Sequence, residues 1–163
     1  MEGFTIIDNL EGLDAESKYL VHKAKEASQH AYAPYSKFMV GAAVLLDDGK
    51  IVMGCNQENA AYPSGMCAER VALFNSGSQF PEQKIIKIAV VARRKSGKEL
   101  LPATCCGSCR QVMLEFEMRQ QESIQIVMLD SEHHWIIAPS AKSLLPFSFS
   151  KSHLDHGNDT HHT

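Results

Sequence analysis

The chain has 163 residues, 44% of them hydrophobic, which is enough for one core and too few for two ordinary domains. The formal charge is −3 and no block of Lys and Arg interrupts the chain, so neither nucleic acid nor an anionic membrane surface is an expected partner. No apolar run approaches the length of a membrane span and no secretory signal pattern opens the sequence, so we expect a cytoplasmic protein.

Hydrophobic periodicity predicts helices and strands along most of the chain. Apolar residues three or four positions apart indicate helices, and short Val-, Ile- and Ala-rich runs between turn residues indicate strands. Asp14 can cap the first helix, Pro34 ends it, and the turn at 47–50 joins the first two strands into a hairpin. The predicted elements are helices over 14–33, from 67 to about 74 and over 107–118, strands over 38–46, 51–54, 84–92, 124–129 and 134–138, and a helical turn over 140–145.

This order of elements predicts the fold class. Strands that alternate with helices in the second half imply parallel neighbours, with helices packed against a sheet. We therefore predict a single three-layer α/β/α domain over residues 1–154, with a mixed β-sheet of about five strands. Residues 155–163 form a His-rich tail that we expect to be mostly disordered. Its histidines, with His153, could bind a metal, although a solvated tail is the simpler interpretation.

Two cysteine motifs carry the strongest chemical signal. Cys67 and Glu69 lie two positions apart where one predicted helix begins, and Cys106 and Cys109 form a Cys-x-x-Cys motif where another begins. Backbone N–H groups and the helix dipole lower thiol pKa values there, which favours the thiolates that a metal ion requires. Three thiolates leave the fourth position of a tetrahedral zinc ion open, which is typical of catalytic zinc.

A closed, structural zinc site is the alternative interpretation of the same thiols. The chain has five cysteines, and Cys55 or Cys105 could supply a fourth ligand. Cys55 follows a predicted strand and is more simply a buried thiol, while Cys105 adjoins Cys106, which makes tetrahedral closure awkward. The catalytic interpretation is therefore preferred.

Three motifs together resemble those of the zinc-dependent cytidine deaminases, specifically the free-nucleoside branch with three cysteine ligands. They are Cys-Ala-Glu-Arg at 67–70, Cys-Gly-Ser-Cys-Arg-Gln at 106–111 and Gly-Cys-Asn-Gln-Glu-Asn-Ala-Ala-Tyr-Pro at 54–63. The resemblance extends from about residue 32 to 154. It implies deamination of cytidine and 2′-deoxycytidine in pyrimidine salvage, with one Zn²⁺ per subunit held by Cys67, Cys106 and Cys109.

The resemblance also implies the chemistry around the metal. Zinc activates a water whose hydroxide attacks C4 of the pyrimidine, while Glu69 transfers the proton to N3 and helps ammonia leave. Zinc with three thiolates carries a net negative charge that weakens it as a Lewis acid, and Arg70 is the cation that would temper this charge.

Substrate and subunit contacts follow from the same resemblance. The enzymes it points to are homotetramers whose active sites borrow groups from neighbouring subunits. The implied contacts are Phe38 beside the pyrimidine ring, Asn56 and Glu58 on the ribose hydroxyls, and Ala60, Tyr62 and Phe149 at sites shared between subunits.

One departure and two rival functions complete the sequence interpretation. Cys105 stands where the family generally has Pro, whose fixed φ shapes the loop that meets the substrate amino group. The substrate could instead be a cytosine-containing nucleoside antibiotic such as blasticidin S, although Asn56 and Glu58 favour a plain ribose. A non-catalytic zinc-stabilised scaffold or RNA-binding module is the other rival, and the intact Glu69 and acidic charge balance argue against it.

Overall fold

The computed structural model describes residues 2–155, so the predicted tail, apart from Asp155, lies outside the described residues. Within this range no helix is both long and apolar enough to cross a membrane. The elements are β1 (Thr5–Ile7), α1 (Ala15–Ser28), β2 (Phe38–Leu46), β3 (Ile51–Cys55), α2 (Ala68–Gln79), β4 (Ile85–Arg94), α3 (Gly107–Gln120), β5 (Gln125–Leu129) and β6 (Trp135–Ala138). A short 3₁₀ turn at Lys142–Leu144 matches the predicted helical turn.

The strands form one mixed sheet in the order β1-β6-β5-β4-β2-β3. Only β4 and β5, which α3 connects, run parallel; the other neighbours are antiparallel. The sheet has six strands, so the prediction of about five was wrong. The missed strand is β1, which has three residues and leaves Ile6 53% exposed, so no buried alternation marks it in the sequence.

Helices cover both faces of the sheet, which confirms the predicted three-layer α/β/α architecture. On one face, Leu20, Val21 and Ala24 of α1 share a buried core with β2, β4 and β5. On the other, α2 and α3 contribute side chains such as Leu73 and Met113 to a second core against the same strands. The sheet is therefore buried on both sides, and α2 and α3 lie together on one of them.

The packing of α2 on β3 is close enough to require glycine. A Cβ atom built on Gly54 would lie 2.5 Å from the backbone nitrogen of Ala72 and 2.6 Å from the carbonyl oxygen of Ala68. No side chain fits that gap without moving the helix. Because Gly54 has no side chain, the first turn of α2 can pack directly against the backbone of β3.

The ends of α1 and α2 differ most from the prediction, and tertiary contacts explain both. Asp14 caps α1 as predicted, accepting a hydrogen bond from the Ser17 N–H at 2.9 Å. However, α1 ends at Ser28 rather than at 33, because the backbone N–H of Tyr32 donates to the carbonyl of Asn56 and draws the chain into the loop. The helix predicted to stop at 75–77 continues to Gln79 along α3.

Candidate active site

The thiols of Cys67, Cys106 and Cys109 lie together between the N-termini of α2 and α3. Their sulfur atoms are all within 4.8 Å of one another, and those of Cys67 and Cys106 are 3.9 Å apart. Sulfur ligands of a tetrahedral zinc ion, at about 2.3 Å from the metal, lie about 3.8 Å from each other. The cluster therefore fits one Zn²⁺. Within residues 2–155 neither Cys55 nor Cys105 belongs to it, which argues against a closed four-thiolate site.

Two of these cysteines occupy the N-cap positions of the helices. Cys67 precedes α2 and Cys106 precedes α3, both with extended backbone and without a side-chain cap hydrogen bond. The pKa of Cys67 is lowered to about 5, because the neighbouring Cys109 thiol and the Arg70 guanidinium stabilise its thiolate form. The same contact, with burial, raises the pKa of Cys109. The cluster thus favours a thiolate at Cys67.

Arg70 faces the thiols from the first turn of α2. Its Nη2 lies 3.5 Å from the Cys67 sulfur, and this hydrogen bond raises the pKa of the guanidinium. Its Nε is buried and has no hydrogen-bond partner among the described residues. The arginine is thus held at the cluster by charge, in the location that a charge-tempering role requires; the role itself stays a prediction.

Glu69 lies one residue before Arg70 and lines the cleft in front of the cluster while being only 5% exposed. Burial raises the pKa of its carboxyl group, and the negative charge of Cys67 adds to this effect. Burial raises the pKa of the Cys105 thiol, and the charge of the neighbouring Glu69 carboxylate adds to this effect. The backbone carbonyl of Cys105 accepts from Nε of Arg110 at 2.8 Å. A buried acid is thereby held next to the metal ligands.

A cleft of about 950 Å³ opens in front of the cluster. Its lining includes five predicted substrate contacts: Phe38, Asn56, Glu58, Ala60 and Tyr62. It also includes residues that the sequence analysis did not identify, among them Tyr35, Ser36, Val90 and Thr104. Phe149 does not line the cleft of its own chain; it is 56% exposed and stacks on His153 with the ring centroids 5.2 Å apart.

Asn56 ties the loop after β3 to the first strand residues of β2. Its side-chain oxygen accepts from the Val40 N–H at 2.9 Å, and its amide nitrogen donates to the Phe38 carbonyl at 2.9 Å. These bonds use the oxygen and one N–H of the amide, and the second N–H remains for a ligand. Asn56 is therefore a structural residue of the cleft wall as well as a predicted ribose contact.

Glu58 is held by the loop that precedes β2. Its carboxylate accepts from the backbone N–H of Tyr35 at 3.1 Å, from that of Ser36 at 3.2 Å, and from the Ser36 hydroxyl. The hydrogen bond from the Ser36 hydroxyl is the main reason that the pKa of the Glu58 carboxyl group is lowered. Ser36 lies 22 positions from Glu58, so no local pattern in the sequence could have paired them.

Known proteins with the same features are deaminases. A family model described as the cytidine and deoxycytidylate deaminase zinc-binding region matches residues 14–123. The chain is 45% identical over 100 residues to a cytidine deaminase of Halalkalibacterium halodurans, covering 61% of this chain and 71% of the relative. It is 39% identical over 137 residues to one of Sporosarcina psychrophila, covering 84% and 93%.

Solved structures give the same result at the level of the fold. The crystal structure of cytidine deaminase from Burkholderia pseudomallei has a TM-score of 0.67 and 38% identity, covering 84% of this chain and 100% of that one. That of Mycobacterium tuberculosis has a TM-score of 0.65 and 34% identity, covering 84% and 99%. With the three-thiol cluster and the family match, these likenesses show that the chain belongs to the zinc-dependent cytidine and deoxycytidylate deaminase family.

Proposed function

We propose that this protein deaminates cytidine and 2′-deoxycytidine by hydrolysis, giving uridine, 2′-deoxyuridine and ammonia, as a step of pyrimidine salvage. One observation carries the proposal: a three-thiol cluster and the buried Glu69 face one cleft, whose walls hold Asn56 and Glu58. The relatives named cytidine deaminases support the same reaction.

The residues of the chain divide the chemistry between them. Zinc held by the three cysteines would supply a Lewis acid that lowers the pKa of a water molecule. Glu69 accepts a proton from the water while the water oxygen forms a bond to C4. Glu69 then passes that proton to N3. The bond between C4 and its amino nitrogen then breaks, and the second proton of the water leaves with the amino group as ammonia. The raised pKa of Glu69 suits a carboxyl group that holds a proton between these steps.

The charges of the cleft support a neutral nucleoside as the substrate. Glu58 and Glu69 are acids of its lining, and Arg70, the one cation among its described lining residues, is turned to the Cys67 sulfur. A phosphate on the sugar would lie near the Glu58 carboxylate, and the described lining residues offer no free cation to pair with it. Phe38 lies in the wall where it can pack against the pyrimidine ring, and Asn56 and Glu58 can take the ribose hydroxyls.

We also propose a homotetramer with shared active sites. Tyr62 is 92% exposed and Phe149 is 56% exposed, so both side chains can reach a neighbouring subunit, as the family resemblance implies. Sedimentation of the purified protein tests the assembly, and a monomer at assay concentration would contradict it. The single domain over 1–154 and the cytoplasmic location belong to the same proposal.

The test of the activity is turnover by zinc-loaded protein. Purified protein of known zinc content is incubated with cytidine, and ammonia release and the ultraviolet change of the base are followed. A Glu69→Gln variant with the same zinc content is the control, because it keeps the shape of the side chain and loses the proton acceptor. Blasticidin S competing in the same assay distinguishes the antibiotic alternative. Zinc-loaded protein that leaves cytidine unchanged would contradict the proposal.

A further inference from the structure

The Ser36 hydroxyl touches both parts of the predicted nucleoside-binding wall. It donates to a carboxylate oxygen of Glu58 and accepts from the backbone N–H of Phe38 at 3.0 Å. We propose that Ser36 is a positioning residue, which orients the Glu58 carboxylate toward the sugar and fixes the start of β2 at Phe38. The inference rests on the proposed function and adds a residue to it.

The hydrogen-bonding capacity of Glu58 makes this role specific. An ionised carboxylate offers about four lone-pair positions. Three donors already occupy it: the Tyr35 N–H, the Ser36 N–H, which is shared by the two oxygens, and the Ser36 hydroxyl. These donors place two bonds on each oxygen, so the loop takes up most of the accepting capacity of the carboxylate and limits the directions from which a sugar hydroxyl can bond to it.

The loop itself has a reason to need this contact. Lys37, between Ser36 and Phe38, has a φ of 58°, in the left-handed region that side chains other than those of Gly, Asn and Asp seldom adopt. Such a residue persists when its surroundings hold it in place. The Lys37 backbone is held by its own hydrogen bonds to the Ala33 carbonyl and from the Lys95 N–H, each at 3.1 Å. The Ser36 hydroxyl adds a contact that spans Lys37, from Glu58 to the Phe38 N–H, and so links the strained residue to the carboxylate.

The position of Ser36 separates this role from a role in folding. Ser36 is exposed at the cleft and belongs to neither hydrophobic core. Removing its hydroxyl therefore opens no cavity in the core, and the structure should keep its stability and its thiol cluster. The loss falls on the binding of the sugar, which is the readout that a merely structural serine would not change.

The experiment compares Ser36→Ala with Ser36→Thr, which restores a hydroxyl, and with Ser96→Ala, which alters an exposed serine outside the cleft. Zinc content and thermal midpoint are measured for each. For Ser36→Ala we expect KM for cytidine to rise about tenfold with kcat within about twofold, the size of effect expected for one hydrogen bond to a partly solvated carboxylate. The Thr variant recovers most of the loss, and Ser96→Ala matches the original protein.

A double-mutant cycle with Glu58→Gln tests whether the effect acts through Glu58. In that background, Ser36→Ala should add less than about twofold in KM, because the two residues act as one unit. Wild-type KM in Ser36→Ala, full additivity with Glu58→Gln, or a fall in kcat alone would each overturn the proposal. Calorimetric binding of the product uridine repeats the comparison without turnover. Uridine binding without deamination would contradict the proposed function alone, whereas equal uridine affinities of wild type and Ser36→Ala would contradict the role of Ser36.

Discussion

The contact between β3 and α2 allows one substitution to test whether the metal ligands depend on the packing of the sheet. Gly54→Ala places a Cβ atom 2.5 Å from the Ala72 nitrogen and 2.6 Å from the Ala68 carbonyl oxygen, whereas ordinary contacts begin at 3.4 Å. Both atoms belong to the backbone, so neither can rotate away. The first turn of α2 must therefore retreat by about 0.9 Å or β3 must bend.

Two quantities follow from that displacement. Overpacking of this kind typically costs about 1–3 kcal/mol, and backbone obstacles on both sides favour the upper end, about 3 kcal/mol. Cys67 and Glu69 move with the helix, and a misplacement near 1 Å at a catalytic group can lower the rate by about 100-fold. We expect Gly54→Ala to lose both stability and deaminase activity, with reduced zinc content.

The control is another glycine beside the same cluster. Gly107 is the first residue of α3, next to Cys106, and a Cβ atom built on it meets nothing within 4 Å. Gly107→Ala should leave activity unchanged and stability unchanged or raised by at most about 1 kcal/mol. Urea unfolding, metal analysis and cytidine turnover are measured for both variants. A Gly54→Ala protein that matches the original in all three would refute the dependence of the site on this contact.

Four further outcomes are expected. Glu69→Gln should retain its zinc and lose about 10²–10⁴-fold in kcat, measured as ammonia release, and a smaller loss would mean that another group moves the proton. Cys105→Ser keeps a small polar group beside Glu69 and should stay within about threefold of the original kcat, whereas Cys105→Ala should fall about tenfold; equal rates would show that a polar group at this position is dispensable. Glu117, a buried carboxylate, accepts hydrogen bonds from three backbone N–H groups. Glu117→Gln should therefore cost about 2 kcal/mol in urea unfolding, because its amide has one accepting oxygen, and an unchanged midpoint would contradict this. Removing zinc with a chelator should speed amide hydrogen exchange in the first turns of α2 and α3 and leave α1, which Asp14 caps, unaffected; uniform loosening would count against the coupling of metal to these two helix ends.

The part of the fold that could be predicted from the sequence is the part with a clear hydrophobic pattern. α1 has apolar residues at helical spacing, whereas α2, α3 and the strands of the central sheet have apolar runs bounded by turn residues, and these residues supply most of the two cores. The edge strand β1 has three residues and is largely exposed, so it exists only through its pairing with β6. The end of α1 depends likewise on a contact with Asn56, far along the chain.

The site divides in the same way. The thiols could be predicted because ligand spacing and helix starts are local features of a sequence. Ser36 could not be, because its partner is 22 positions away and the intervening hairpin brings the two together. The structural use of the Asn56 amide, which bonds two backbone groups of β2, also depends on that hairpin. Contacts between distant segments are where sequence patterns carry least information.

The helix caps explain why this fold suits a thiolate cluster. α1 begins at Asp14, whose carboxylate satisfies a first-turn N–H in the usual way. α2 and α3 begin at cysteines that make no side-chain cap bond, so the N-terminal ends of two dipoles meet at three sulfur atoms. Missing caps destabilise both helices, and the same unpaired N–H groups favour negative charge at sulfur. Because Gly54 lets α2 pack tightly against the sheet, this packing can offset the stability that α2 loses at its missing cap, and that helix end is left available for the metal.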